Sequence, residues 1–110
     1  MKVLVVEQNN KFYLQKVKRS QLNNFLGNYG LVQVIGKATC YVEKIDNDDC
    51  NKLFSSYLKY SNAYGKVVVM GCKGTTVKIF KGLKKAQAKQ IMKELARIIE
   101  KCGRGTEDAK

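Results

Sequence analysis

The sequence predicts an α+β fold in which an antiparallel β-sheet carries a long C-terminal helix packed on one face. Two stretches indicate this class. GKVVVMGCKGTTVKIFK, residues 65–81, holds two β-branched runs around a Cys-Lys-Gly turn, as a β-hairpin does. KAQAKQIMKELARIIEK, residues 85–101, repeats apolar residues at helical spacing. A hairpin followed by a long amphipathic helix is typical of a sheet that is covered on one side.

The first third of the chain predicts a second hairpin and a short helix. VLVVE, residues 3–7, and KFYLQKVK, residues 11–18, are two strand-like runs joined by Gln-Asn-Asn. Residues 20–27 place apolar side chains at helical spacing before a glycine, which predicts a short helix. Residues 31–45 are rich in β-branched residues and predict one long strand, in which Gly36 marks a bulge or a break.

Residues 50–58 carry apolar side chains at the spacing of a helix, and Asp48 or Asp49 is its expected cap. The Ser-Ser pair within this stretch also permits a strand over residues 52–60. We expect the helix. After it, the closing helix should end at Gly103, so that residues 1–103 form a single compact domain and residues 104–110 a frayed tail.

The closing helix places a basic residue at every fourth position. These residues are Lys85, Lys89, Lys93, Arg97 and Lys101. Each stacked pair of like charges costs ~0.2–0.5 kcal/mol, and a four-residue step overshoots the helical turn by about 40°. The column therefore spreads across the outer face of the helix. An ordinary solvated face and a face that follows phosphates both remain open as interpretations.

Charge is the strongest signal of function. The chain has 110 residues, with 21 Lys and Arg against 9 Asp and Glu, for a formal net charge of +12. A surface this positive repels itself unless a polyanion or anionic surface is its usual neighbour. Nucleic acid is the first candidate partner, and a protein merely kept soluble by its charge is the alternative.

Several chemical classes are not supported. The chain has no histidine, so a Ser-His or Cys-His nucleophile pair cannot form within it. Its four cysteines include no Cys-x-x-Cys pair, and the aspartates of residues 46–49 lack the spacing of a calcium loop. We expect no enzyme, no metal and no cofactor. No stretch predicts a signal peptide or transmembrane segment, and we expect a cytoplasmic protein, with the nucleus as the alternative.

Lysines interleaved with aromatic residues predict the binding site, because cations neutralise phosphates and exposed rings stack on unpaired bases. The hypothesis needs a lysine-rich sheet face left open opposite the helix. For the aromatic residues, a place in the core is the alternative. The first set of candidate residues is Lys66, Lys73, Lys78, Phe80 and Lys81. The second set is Lys16, Lys18, Arg19 and Lys37.

The order LKYSNAYG, KVVVMGCKGTTVKIFK and GLKKAQAKQIMKEL, within residues 58–101, resembles the small Alu-RNA-binding subunits of the signal recognition particle. The resemblance implies a helix, three antiparallel strands and a helix. It also implies a ribonucleoprotein in which two related subunits pair and their joined concave sheet grips folded RNA. The preference for RNA over DNA comes from this resemblance alone.

Two other resemblances compete. GKVVVMGCK, residues 65–73, and ARIIEKCG, residues 96–103, are similar to pieces of one repeat of the TATA-binding protein. A closing hairpin and long helix also resemble pleckstrin-homology-like domains, which implies a binder of anionic lipids. A protein-interaction or dimerisation module with an acidic partner, as a homodimer or heterodimer, is the remaining alternative.

Overall fold

The computed structural model of the protein describes residues 1–25, 27, 29–36, 39–44, 49–59, 61–73 and 76–108. Six strands and three α-helices lie within these residues, and a 3-10 turn, Arg19–Gln21, precedes the first helix. The strands are β1 (Lys2–Val6), β2 (Phe12–Lys16), β3 (Tyr29–Gly36), β4 (Thr39–Lys44), β5 (Val67–Lys73) and β6 (Thr76–Lys81). The helices are α1 (Leu22–Phe25), α2 (Lys52–Leu58) and α3 (Lys85–Asp108). The predicted α+β class is confirmed.

The strands form one antiparallel sheet in the order β2-β1-β5-β4-β3. β1 pairs with the first half of β5, where Leu4 lies opposite Val69. β6 pairs with the second half of β5, where Gly71 lies opposite Lys81. Since β4 occupies the other edge of β5, β1 and β6 lie end to end along one edge. The β1–β2 and β5–β6 hairpins that the sequence predicts are both confirmed.

The first core lies between the sheet and the helices α2 and α3. Leu4, Val69 and Tyr41 from the sheet pack with Phe54 of α2 and Leu95 of α3. The Tyr41 and Phe54 rings meet edge to face, with centroids 5.0 Å apart. This core explains why the apolar stripe of α3 has its spacing, and it confirms that the helix packs on one face.

The second core lies on the opposite face of the sheet. Its strand residues are 0–2 % exposed; they are Val3, Val5, Cys40, Val42, Val68, Met70 and Cys72. Val17, Leu22 and Phe25, from the segment that contains α1, pack over them. The prediction of a sheet face open to a ligand is therefore wrong for the strands β1, β4 and β5. The physical reason is visible in the runs VLVV and VVVM, which do not alternate with polar residues and so bury both faces.

Three local predictions also differ from the structure. The single strand expected over residues 31–45 is two strands, β3 and β4, which form a hairpin where Gly36 lies opposite Thr39. α2 is a helix as expected, but its cap is Asn51, whose side-chain oxygen accepts from the Phe54 N–H at 3.1 Å. Asp48 lies outside the described residues. α3 continues past Gly103 to Asp108 and includes a second glycine, Gly105, since each glycine in a helix costs only ~1 kcal/mol.

Candidate nucleic-acid interface

The start of β1, the end of β2 and the segment between β6 and α3 meet at one end of the sheet. The Met1 amino group donates to the Val17 carbonyl at 2.9 Å, and the Val17 N–H donates to the Met1 carbonyl at 2.8 Å. The Leu83 N–H donates to the Lys2 carbonyl at 2.8 Å. We call this region the cationic end; its exposed basic side chains are Lys2, Lys16, Lys18, Arg19, Lys81, Lys84 and Lys85.

Two glycines let the backbones at the cationic end approach one another. A Cβ atom on Gly71 would lie 2.9 Å from the Gly82 carbonyl oxygen. A Cβ atom on Gly82 would lie 3.2 Å from the Met1 Cβ atom. Contacts under about 3 Å force the surrounding structure to move, so Gly71 is the tighter of the two positions.

Gly71→Ala is expected to lower the free energy of unfolding by ~1–3 kcal/mol, because the added methyl group overpacks a backbone contact. Gly82→Ala should cost less, since its shortest contact is 3.2 Å and needs a smaller shift of the neighbouring atoms. Urea denaturation of the two variants measures the difference. A Gly71→Ala protein as stable as the parent would show that β5 and the segment before α3 are not packed as described.

The opposite end of the same sheet carries acidic residues, together with Lys11 and Lys66. Val6, Val67 and Glu43 lie in one row of the sheet. Glu7 follows β1 at this end and pairs with Lys66 at 3.9 Å. The Tyr64 N–H donates to the Glu43 carboxylate at 2.9 Å. We call the region of Glu7, Glu43 and Asp49 the acidic end.

Glu7 also acts on Tyr13 in β2. The Tyr13 hydroxyl donates to the Glu7 carboxylate. Burial raises the pKa of Tyr13, and the negative charge and hydrogen bond of Glu7 raise it further. The Glu7 carboxylate therefore contacts both the Tyr13 hydroxyl and the Lys66 ammonium group. These two contacts hold the Glu7 side chain at the acidic end.

The two ends are too far apart to neutralise each other. From Lys2 to Glu7 the chain advances five positions along β1, roughly 17 Å at ~3.4 Å per residue. The screening length at 0.1 M salt is ~10 Å. Glu94 and Glu100, the other acids whose side chains are described, lie on α3 outside the cationic end. The cationic end therefore keeps its positive potential in ordinary buffer.

The structure brings part of the predicted site together. Lys16, Lys18, Arg19 and Lys81 all lie at the cationic end. Lys66 does not, because it lies at the acidic end beside Glu7.

The backbones of Lys73, Lys78 and Phe80 lie in the β5–β6 hairpin, which extends the sheet beyond the cationic end. Phe80 is opposite Cys72 in that hairpin. Their side chains are not among those described, and Lys37 lies outside the described residues.

Sequence reasoning missed Lys2 and Lys84 as members of the cationic end, and it named Lys85 only as part of the basic column of the closing helix. The available signal was that each stands at an element boundary, where the ends of neighbouring strands and helices meet. The pairing of β1 with β5, which brings Lys2 next to the segment after β6, is a long-range contact with no local pattern.

A shallow cavity of about 490 Å³ opens at the cationic end. Its basic lining residues are Lys2, Lys16 and Lys18, and Met1, Val17 and Gln21 complete it. Ammonium groups are donors without acceptor capacity, so the cavity suits an anion such as a phosphate group. The basic column of α3 is exposed along its length, as predicted, and begins beside this site because Lys85 and Lys89 share a groove with Lys2.

Cys40 and Cys72 are buried free cysteines. Burial, together with the neighbouring Cys72, raises the pKa of the Cys40 thiol to about 12. At neutral pH Cys40 is therefore a neutral thiol in the second core. Within the described ranges no three potential ligands group to hold a metal ion. No helix in that part of the chain is long and apolar enough to cross a bilayer.

Comparison of the chain with protein-family models, curated proteins and solved structures finds no match.

Proposed function

We propose that the protein binds nucleic acid, with RNA preferred, through its cationic end. The observation that carries the proposal is the separation of charge along β1, with Lys2 at one end of the strand and Glu7 at the other. Seven exposed basic side chains and none of the described acids lie at the cationic end, an arrangement that solubility alone does not require. A polyanion gains most from such an arrangement, because several phosphates can be neutralised at once.

The binding mechanism is electrostatic capture followed by fit to the shape of the backbone. Lys2, Lys16 and Lys18 surround a cavity that a phosphate group can enter, and each is a flexible point charge. The N-terminus of α3 lies beside them and adds the positive end of the helix dipole. These contacts position a nucleic acid without reading its sequence.

The preference for RNA rests on the resemblance to the Alu-RNA-binding subunits. The order of elements differs from what that resemblance implies. Four strands and the helix α2 lie between α1 and α3, whereas the resemblance implies three strands between two helices.

Salt dependence tests the proposal. Binding to labelled single-stranded RNA, duplex RNA and duplex DNA can be measured by fluorescence anisotropy between 50 and 400 mM KCl. If four to six phosphates are neutralised, log K for duplex DNA should fall linearly with log [salt] with a slope of about −4 to −5.

A protein that shows no affinity for any of the three nucleic acids at 50 mM KCl would refute the proposal. Salt-insensitive capture of an acidic protein would support the interaction module instead. If the protein co-sediments with phosphatidylserine vesicles and binds none of the nucleic acids, the alternative of an anionic-lipid-binding domain is supported.

A further inference from the structure

A small apolar groove lies between β2 and the first turns of α3, next to the cationic end. It has a volume of about 260 Å³. Four lining residues are apolar and three are basic, and none of them is acidic. They are Leu14, Leu83, Ala88 and Met92, together with Lys2, Lys85 and Lys89.

The groove exists because α3 covers the centre of the sheet but not its edge. Leu4 of β1 is fully buried in the first core, whereas its cross-strand partner Leu14 of β2 is 40 % exposed. Leu83 and Ala88 are buried and form the floor. The accessible apolar surface of the groove is therefore supplied mainly by Leu14 and the half-buried Met92.

We propose that this groove binds a medium-chain aliphatic carboxylate. The hydrocarbon tail would lie on Leu14 and Met92, and the carboxylate would lie among the ammonium groups of Lys2, Lys85 and Lys89. The small volume of the groove, about 260 Å³, limits the tail to a chain of medium length. The ligand goes beyond the proposed function, because it is not a nucleic acid.

The chemistry of the lining favours an aliphatic anion over an unpaired nucleobase. A base carries N–H donors on its edge, and burying them without acceptors is costly. The side chains of the groove supply ammonium donors and no strong acceptor. An alkyl tail needs no acceptor, and a carboxylate head group matches the charge of the three lysines.

Chain length and head-group charge test this proposal on the unaltered protein. Isothermal titration calorimetry with hexanoate, octanoate and decanoate, each below its micelle concentration, should show affinity rising by about threefold to fourfold per methylene. Decyltrimethylammonium, which has the same tail as decanoate and the opposite charge, should not bind. Equal affinity for the cation and for decanoate would overturn the proposal.

Variants locate the site. Leu14→Gln should weaken decanoate binding by about fivefold, because it removes apolar contact with the tail. Val34→Gln is the matched control, since Val34 of β3 is exposed to a similar extent, 44 %, and lies outside the groove. Unchanged decanoate affinity in Leu14→Gln would overturn the assignment of the groove.

The head-group lysines have a control on the same helix. Lys85→Gln/Lys89→Gln should weaken decanoate binding by roughly threefold to tenfold, as expected for the loss of exposed ion pairs. Lys93→Gln/Lys101→Gln removes the same amount of charge from the basic column farther along α3. This double variant should leave decanoate affinity unchanged. Equal losses in the two double variants would contradict the proposed position of the carboxylate. These titrations contain no nucleic acid, so their outcome is independent of the proposed function.

Discussion

Replacing Asn51 with alanine is expected to lower the free energy of unfolding by about 3–5 kcal/mol. The Asn51 side chain is fully buried and joins three elements. Its amide nitrogen donates to the Val6 carbonyl at 3.1 Å and to the Gly65 carbonyl at 2.8 Å, and its oxygen accepts from the Phe54 N–H at 3.1 Å. Alanine would leave two buried carbonyls and one helix N–H without these partners.

Chemical denaturation followed by circular dichroism measures this effect. Asn62→Ala is the matched control, because Asn62 is exposed, and its cost should be near zero. Asn51→Asp keeps an oxygen for the Phe54 N–H but replaces the donor by a second oxygen, which faces two carbonyls. It should therefore also be strongly destabilising. A loss below about 1 kcal/mol in Asn51→Ala would mean that Asn51 does not anchor α2 to the sheet.

Elements with strong local patterns could be predicted from the sequence. The β5–β6 hairpin has two β-branched runs around a short turn, and α3 has an apolar stripe at helical spacing, so each specifies its own structure. The same holds for the outward-facing basic column of α3. Short-range periodicity was sufficient in these cases because the residues that determine the element lie within it.

Features that depend on distant parts of the chain could not be predicted. Asn51 looks like one more polar residue in a run of aspartates, and its role as cap appears only when the ends of β1 and β5 reach it. The break at Gly36 separates two strands that pair with each other, but a glycine in a β-branched run is equally compatible with a bulge. The residue types alone did not decide which residue caps α2, or whether Gly36 marks a bulge or a break.

The sequence predicted a binding surface on an open sheet face, which the central strands do not offer. The open sheet face does not exist on the central strands, because the segment that contains α1 packs against Val3, Val5 and Val68. Polar residues on these strands are confined to their ends. Charge therefore gathers at the ends of the strands, so Lys16 and Lys81 lie near each other while Lys66 faces Glu7.

Neutralising four lysines at the cationic end is expected to weaken nucleic-acid binding by roughly a thousandfold at 0.1 M salt, since each lost phosphate contact costs ~0.7–0.9 log units there. The slope of log K against log [salt] should become shallower by about 3 to 4. The four substitutions are Lys2→Gln, Lys16→Gln, Lys18→Gln and Lys81→Gln. All four side chains are exposed, so the variant should keep its fold.

A control variant removes four positive charges elsewhere and therefore reaches the same net charge. Its substitutions are Lys11→Gln, Lys52→Gln, Lys59→Gln and Lys66→Gln. If binding depends only on net charge, the two variants should lose affinity equally, and the cationic end would have no special role. If the arrangement of charge along β1 decides binding, the control should keep nearly all of its salt slope. The control also tests Lys66, because a large loss caused by Lys66→Gln alone would favour the site predicted from the sequence over the cationic end.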